Sequence, residues 1–512
     1  MREKKFTRIA AFLLCLTMLL GNAVVIASAS ETENSEGSIT DVTLEELRER
    51  LNAITYEEYS VKNADVANAT TAVQVPIDQY VTKDAGFEMV QRDGADALFT
   101  PQNGSVTWTV NIPKTAKYAI KIEYYPDQNR ATSIERILQI NDKVPFAEAR
   151  FLTLPKRWVN DYVDFEISAD LADEAAAVGY TVVQKDGKSY ITFPEYITGE
   201  MAQFAEEYKV RFFQRDITNN ELRPTAVDEP AWMTYYLKDS SGYYTDNFAF
   251  VFEEGENTIT LQGQNEPMSI KAITLCPIEK LDTYAEYYEK YKNEPIGQDT
   301  VKIEAELANY MSNKTIYPIE DRSCAINSPT DVTCIVLNTV GGEKWATAGQ
   351  WVEYSFQVNS SGLYDIVSRF RQNILDGMYT CRSLYIYSEG LEPGDKGYYN
   401  GAPFEEALKL VYNYDDAWQV TQMTGTNQDE TYSVYLEKDV TYTIRLEVTL
   451  GLMGDVVRRV EEVVNAVNSD YLNIIKLTGL SPDAYRDYGF SQVMPDTMID
   501  MVIQSRELKK LA

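Results

Sequence analysis

Aromatic rings and carboxylates are the side chains of this sequence best suited to chemistry, because its 512 residues include no histidine. Ser-His-Asp triads, HExxH zinc sites and imidazole general bases all need that ring and are therefore excluded. Flat aromatic rings can stack on the C–H face of a pyranose while polar neighbours bind its hydroxyl groups. The aromatic residues that we single out as candidates for such binding are Trp345, Trp418, Tyr398, Tyr399, Trp158 and Trp232.

Packing is the competing interpretation for these residues. A tryptophan at the edge of a β-sandwich is commonly half-buried, so a packing role stays open for Trp345 and Trp418. Trp351 differs from both, because it alternates with apolar positions along a predicted strand. We therefore predict that Trp351 belongs to the core.

The charge balance narrows the possible partners. The sequence has 47 basic and 78 acidic residues, a net charge of −31. Such a field repels phosphate backbones and anionic membrane surfaces, whereas a neutral sugar meets no such repulsion. Nucleic acid is thus excluded as a partner. Cysteine spacing shows no redox or zinc motif, and a Cys324–Cys334 disulfide is left open.

The first 29 residues have the pattern of a secretory signal peptide. Four basic residues precede an apolar run, residues 9–26, and Ala27-Ser28-Ala29 offers a cleavage site. A retained membrane anchor is the alternative. No second stretch is apolar and long enough to cross a bilayer, so we expect no membrane span after cleavage. The sequence thus predicts a secreted or extracellular protein associated with the cell surface.

Changes of hydrophobic period divide the rest of the chain. Apolar residues alternate at period 2 in two long segments and recur at helical spacing elsewhere. The predicted divisions are a linker and short helix (30–55), a first β-sandwich domain (56–280), a helical spacer (281–299), a second β-sandwich domain (300–450) and a helical tail (451–512). We expect the tail to be truncated, because its two helices carry an apolar seam.

The two β domains look like copies of each other. Residues 108–118 align with residues 354–364 at a constant offset, but residues 257–261 align with 442–446 at a smaller one. The first copy therefore holds an insertion, which we place at about 168–223. A strand pair around Asp186-Gly187 and a helix from Thr198 to Tyr208 are predicted within it.

Four short motifs of the second β domain occur in a characteristic order. They are Ile303-Glu-Ala-Glu306, Gly349-Gln-Trp-Val-Glu-Tyr354, Ser361-Gly-Leu-Tyr364 and Thr441-Tyr-Thr-Ile-Arg-Leu446. This order resembles carbohydrate-binding modules of families 6 and 35, which are galactose-binding-like jelly-roll sandwiches. The resemblance implies carbohydrate as the partner and places Trp418 near the second aromatic residue of the binding cleft.

The resemblance also implies a structural calcium site. In the resembled modules the strand that holds Glu304 and Glu306 contributes oxygen ligands, which calcium prefers. Residues two apart on a strand share one face, so both carboxylates could reach one ion. We find no clear aspartate on a matching final strand, and a solvated strand edge is the alternative.

The helical tail has a second resemblance. Ile475-Lys-Leu-Thr-Gly-Leu-Ser-Pro-Asp483 and Tyr485-Arg-Asp-Tyr488 look like a segment of long extracellular solute-binding proteins. In those proteins of sugar ABC transporters, β-sandwich modules precede a solute-binding domain. The resemblance implies a transporter or a solute-binding domain as a further partner.

Together these patterns predict a mainly β fold: two galactose-binding-like jelly-roll sandwiches in tandem, with short helical spacers and a C-terminal helical hairpin. The predicted function is that of an exported, non-catalytic glycan-binding protein, the binding-module portion of a sugar-uptake solute-binding protein. A structural display or scaffold module at the cell surface is the alternative. A glycoside hydrolase or lyase that runs on two carboxylates is a third interpretation.

Overall fold

The computed structural model of the chain describes residues 54–127, 130, 132–324, 326–425 and 430–511. The signal peptide and nearly all of the 30–55 linker and helix lie outside the described residues. The described part is mainly β, with several antiparallel sheets and a helical C-terminal part. No helix among the described residues is both long and apolar enough to cross a membrane.

The strands and helices follow in chain order. The strands before residue 155 are β1 (Val73–Val75), β2 (Tyr80–Lys83), β3 (Glu88–Arg92), β4 (Ala95–Thr100), β5 (Gly104–Ile112), β6 (Ala116–Pro126), β7 (Ile134–Ile140) and β8 (Leu152–Leu154). Those up to residue 276 are β9 (Trp158–Asn160), β10 (Phe165–Ile167), β11 (Val182–Lys185), β12 (Lys188–Ile191), β13 (Ala226–Asp228), β14 (Met233–Tyr236), β15 (Phe250–Phe252), β16 (Gly255–Asn265) and β17 (Met268–Cys276). The later strands are β18 (Tyr310–Met311), β19 (Pro318–Ile319), β20 (Thr339–Val340), β21 (Trp351–Phe356), β22 (Gly362–Asp365), β23 (Val367–Phe370), β24 (Tyr379–Ser388), β25 (Asn400–Gly401), β26 (Leu410–Asn413), β27 (Gln419–Gln422), β28 (Ser433–Leu436) and β29 (Tyr442–Thr449). The helices are α1 (Tyr56–Lys62), α2 (Ala169–Ala177), α3 (Gly199–Tyr208), α4 (Tyr284–Tyr291), α5 (Met453–Thr478), α6 (Phe490–Val493) and α7 (Pro495–Leu511).

The first sandwich encloses its core between two sheets. One sheet has the order β2-β5-β16-β7-β8, and the other has the order β14-β6-β17-β4-β3, with β1 and β15 added beside it. Along β5 the buried side chains alternate with more exposed ones, and Trp108 is among those that point inward. This period-2 pattern places one apolar face of each sheet in a common core.

The inserted segment forms a small unit of its own. The strands β10, β12 and β11 make an antiparallel sheet, and the predicted strand pair is present as β11 and β12. Asp186 and Gly187 form its turn, each with a positive φ, as the Asp-Gly pair predicts. Thr198 caps α3 by accepting a hydrogen bond from the Met201 amide, which confirms the predicted helix start. The helix α2 was not predicted.

The second sandwich is joined to the first through a shared sheet. Its large sheet has the order β13-β9-β18-β21-β29-β24-β25, and β26 pairs with β24. β9 and β13 come from the first β segment, and Met311 of β18 pairs with Trp158 of β9. Two separate sandwiches were expected, but pairing with β9 gives the edge of β18 backbone partners that it would otherwise lack. The short pairs β22–β28 and β23–β27 belong to the other side of this sandwich.

The spacer and the tail both pack on the sandwiches. α4 begins with a capping box between Thr283 and Glu286. Its buried Tyr284 and Tyr287 join the second core. α5 follows the predicted long periodic segment and ends at Gly479, whose φ is +73°. Its first turns lie against the first sandwich, where the Tyr243 hydroxyl donates to Glu461.

Candidate functional site

At one end of the solvent-exposed β23–β27 pair, an aromatic ring lies near two guanidinium groups. Arg369 pairs with Val420 in the antiparallel register. Because side chains alternate along a strand, Val367, Arg369 and Arg371 lie on the same face as Val420 and Trp418. Val367 and Val420 are 57% and 64% exposed. We call these five residues the Trp418 platform.

Side chains on the platform hold the Trp418 ring in place. The guanidinium carbons of Arg369 and Arg371 lie 5.8 and 5.4 Å from its ring centroid, within the range of cation–π attraction. The indole Nε1 donates to the Ser323 hydroxyl at 3.3 Å. The ring is half-buried. The hydrogen bond to Ser323 attaches it to the neighbouring loop.

The loop beside the platform fixes the two arginines. Arg371 donates to Asp321 Oδ2 at 2.7 Å and to Ser323 Oγ at 2.6 Å. Burial opposes ionisation of Asp321, but hydrogen bonds from Ser323 and the charge of Arg371 outweigh it and hold the pKa of that carboxyl below its usual range. Asp321 is therefore an ionised anchor and has no proton to donate. Arg369 instead contacts the neutral Asn327 Oδ1 at 2.8 Å, so this contact leaves its positive charge uncompensated.

Trp345 is placed apart from the platform. Its ring is half-buried against the cluster of Met311 and Val352, and its Nε1 donates to the Gln350 carbonyl at 3.1 Å. The Arg382 guanidinium covers the ring at 4.5 Å. Trp345 and Trp418 thus contact different elements, and the structure does not combine them into one aromatic cleft.

Tyr398 and Tyr399 follow a loop, as predicted, but only Tyr398 is partly exposed. The Tyr399 hydroxyl lies 2.5 Å from the Tyr287 hydroxyl and donates to the Tyr435 carbonyl at 2.9 Å. Burial raises the pKa of Tyr399 well above its usual value. Tyr399 is a core residue of the second sandwich, so its ring offers no face to a ligand. Sequence spacing could not reveal the α4 partner that buries it.

The two candidates in the first β segment also have packing roles. Trp158 is only 5% exposed, because β9 is an interior strand of the shared sheet. Its ring packs with Met311 and Val352, so Trp158 is not available for stacking on a sugar. Trp232 is half-buried, and its ring meets Tyr125 edge to face at 5.5 Å.

The predicted calcium ligands do not form an oxygen cage. Residues 301–309 form no strand, so Glu304 and Glu306 do not share a strand face. Glu306 is buried and accepts a hydrogen bond from Arg211 Nη1 at 2.8 Å, whereas Glu304 pairs with Lys302 at 2.9 Å. Within the described ranges, no three acidic or cysteine side chains lie close enough together to hold a metal ion. The residues present do not fit the calcium site that the resemblance implies, because a guanidinium already compensates Glu306.

Comparison with known proteins leaves the family of the chain open. No family model and no curated protein matches the chain. Among solved structures, it is 12% identical to the CBM35 from Cellvibrio japonicus Abf62, over 42% of this chain and 93% of that one, with a TM-score of 0.14. A Paenibacillus sp. cycloisomaltooligosaccharide glucanotransferase complexed with cycloisomaltoheptaose is 9% identical, over 74% and 45% of the two chains, at 0.13. AerE from Microcystis aeruginosa is 8% identical, over 71% and 97%, at 0.11. TM-scores of this size carry no argument about this chain.

Trp351 is buried, as predicted, but it lies outside the core of its own sandwich. Val352 and Tyr354 point into a hydrophobic cluster, and Trp351 therefore points to the opposite face of β21. There the Arg445 guanidinium lies 4.3 Å from its ring centroid, and Glu447 is its partner on β29. The indole is thus part of a polar and aromatic face that the first sandwich covers.

A buried network of charges lies in this interface and was not predicted. Arg445 pairs with Glu353 at 2.7 Å, and Lys238 from the first β segment pairs with Glu447. The cavity beside Lys238 and Tyr385 has a volume of only about 10 Å³, far below the roughly 300 Å³ at which ligand pockets begin. The signal in the sequence was the charged residues that alternate with apolar ones along β29. We assign this network to the joint between the sandwiches.

Proposed function

We propose that this protein is an exported, non-catalytic glycan-binding protein that binds sugar on the Trp418 platform. The observation that carries this proposal is the exposed face of β23 and β27, where the half-buried Trp418 indole lies near Arg369 and Arg371. The order of the four motifs in the second β domain also supports it.

Binding would combine ring stacking with hydrogen bonding. The Trp418 face would contact the C–H side of a pyranose, and Arg369 would donate N–H groups to its hydroxyls. The apolar side chains of Val367 and Val420 extend the contact area along the strand pair. A neutral glycan suits the net charge of −31, because it brings no like charge to the surface.

The absence of catalysis is part of the proposal. A glycoside hydrolase needs one carboxylic acid that donates a proton and a second carboxylate across the scissile bond. Asp321 lies beside Trp418, and its low pKa and contact with Arg371 suit it to an anchoring role. We further propose that the chain acts at the cell surface, as the binding-module portion of a sugar-uptake solute-binding protein.

A glycan array followed by titration calorimetry tests this function. The chain from Ser30 onward is compared with Trp418→Ala and with Trp345→Ala, which removes a second half-buried tryptophan whose ring Arg382 covers. Loss of the stacking ring should weaken binding about tenfold or more, equivalent to about 1.4 kcal/mol. Trp345→Ala should bind as the unchanged chain does, and chelation of calcium should have no effect.

Three other outcomes would redirect the proposal. Equal loss in both variants would place the site elsewhere, and release of reducing sugar from a bound glycan would identify an enzyme. Absence of binding to plant, host and microbial glycans would favour the scaffold function. The buried ion pairs between the two sandwiches support this scaffold function, because they join the sandwiches.

A further inference from the structure

The last helix presents an apolar stripe to solvent. Ile499, Val502 and Ile503 are 59%, 50% and 48% exposed. Their spacing of three and four residues places them on one side of α7. The opposite side packs on α5, where Thr497 is buried and Glu507 pairs with Arg459 at 3.2 Å. The stripe therefore points away from the other described parts of the chain.

Opposite charges lie at the two ends of this stripe. Asp496 is exposed in the first turn of α7, one turn before Ile499, and Arg506 is exposed one turn after Ile503. Positions 496, 499, 503 and 506 are symmetric about position 501, which lies two residues before the middle of the helix. A second copy of α7 that runs antiparallel would bring each Asp496 opposite an Arg506 and each Ile499 opposite an Ile503. The helix dipoles would then also be antiparallel, which is the favourable arrangement.

We propose that the outward face of α7 is a self-association surface that binds a second copy of this chain antiparallel around a two-fold axis. A two-fold interface needs one surface that is complementary to itself. Along α7 an acidic residue, an apolar stripe and a basic residue follow one another, so two antiparallel copies are complementary. The proposal does not depend on glycan binding.

The length of the helix sets the strength of this contact. With the two-fold axis opposite position 501, residues 495–507 of each helix overlap, and at about 1.5 Å per residue they give a contact roughly 20 Å long. One helix pair of this length buries less than the approximately 800 Å² per partner of a standard stable interface. The expected dimer is therefore weak, with a dissociation constant in the range of about 10 to 500 µM.

Sedimentation velocity of the chain from Ser30 onward, between about 1 µM and 1 mM, tests the proposal. The unchanged chain should shift from monomer to dimer. Asp496→Arg and Arg506→Asp should each weaken dimerisation about fivefold or more, because each places like charges opposite each other twice. The double variant should dimerise again, and the two single variants should associate when they are mixed.

The rescue by the double variant distinguishes antiparallel pairing of α7 from association through a different surface. Both positions are exposed, so circular dichroism should show that the variants keep their helix content. A chain that stays monomeric at every concentration overturns the proposal and assigns the stripe to a different partner. Dimerisation that neither charge reversal weakens, or that the double variant fails to restore, overturns it as well.

Discussion

Arg211→Met is a substitution for which the structure predicts a large loss of stability. Arg211 belongs to the inserted segment, and its guanidinium lies between two buried carboxylates. It contacts Glu221 at 3.0 Å and Glu306 at 2.8 Å. Glu221 also accepts a hydrogen bond from the Leu337 amide at 2.9 Å. The cluster thus fastens the insertion to the loop of the second sandwich that holds Leu337.

The magnitude follows from what the substitution leaves behind. Methionine fills much of the same volume but leaves the buried Glu306 without the guanidinium that compensates it, and leaves Glu221 with only the longer contact to Arg215. Removing one partner of a buried ion pair costs about 3–5 kcal/mol, because the remaining charge is not compensated. This cost corresponds to an increase of about 100- to 5,000-fold in local opening. Burial already raises the pKa of Glu306 above its usual value, so protonation at low pH should relieve part of the cost.

Hydrogen–deuterium exchange of the Leu337 amide measures this opening directly. Arg215→Met is the matched control, because Arg215 contacts the same Glu221 at 3.4 Å from a more exposed position. It should cost less than about 1 kcal/mol. Adding Glu306→Gln to Arg211→Met should recover part of the protection, since the amide is neutral. A change below about tenfold in Arg211→Met would refute the claim that the cluster holds the insertion in place.

Two further predictions concern the tail. Gly454→Ala should loosen α5 from the first sandwich and increase proteolysis of α5, because the new Cβ would lie 2.5 Å from the Tyr243 carbonyl oxygen. This clash should outweigh the helix preference of alanine over glycine, which is about 1 kcal/mol. An unchanged rate of cleavage would contradict this prediction. Asp470→Asn should raise the melting temperature at neutral pH. Burial and the neighbouring Asp500 raise the pKa of Asp470 in the folded chain, so the folded state binds more protons than the unfolded state does. The stability of the unchanged chain therefore falls as pH rises above the ordinary carboxyl range. The gain should disappear as pH falls to about 4, and a gain that is independent of pH would refute the reasoning.

Elements with local signals could be predicted from the sequence. The α5 segment was identified from its helical period, and the turn of β11 and β12 was identified from Asp186-Gly187. Each prediction needs only a few neighbouring residues, because the hydrogen bonds of a helix or tight hairpin close within the segment. The half-burial of Trp418 matches the packing alternative, since a tryptophan at the edge of a β-sandwich is commonly half-buried.

Residues whose environment comes from distant segments could not be placed in this way. Trp158 is buried because β9 pairs with β18, which lies far along the chain in the second β segment. Glu306 is compensated by Arg211 of the insertion, which no local pattern connects to it. Tyr399 is buried by α4 through Tyr287. In each case the partner lies on another element, and alternation along one strand says only which residues share a face.

Trp351 is buried as predicted, but alternation alone could not show what covers it. A strand with one buried and one solvated face should alternate apolar and polar residues. In β21 the apolar face carries Val352 and Tyr354, whereas Trp351 shares the other face with the charged Glu353. Both residues lie on the same face of β21, where Arg445 of β29 contacts them. Tryptophan and arginine are enriched at protein interfaces, so a strand face that combines them with glutamate has the composition of an interface. Such a face on a central strand is therefore a reason to look for a second domain against it, and here that domain supplies Lys238.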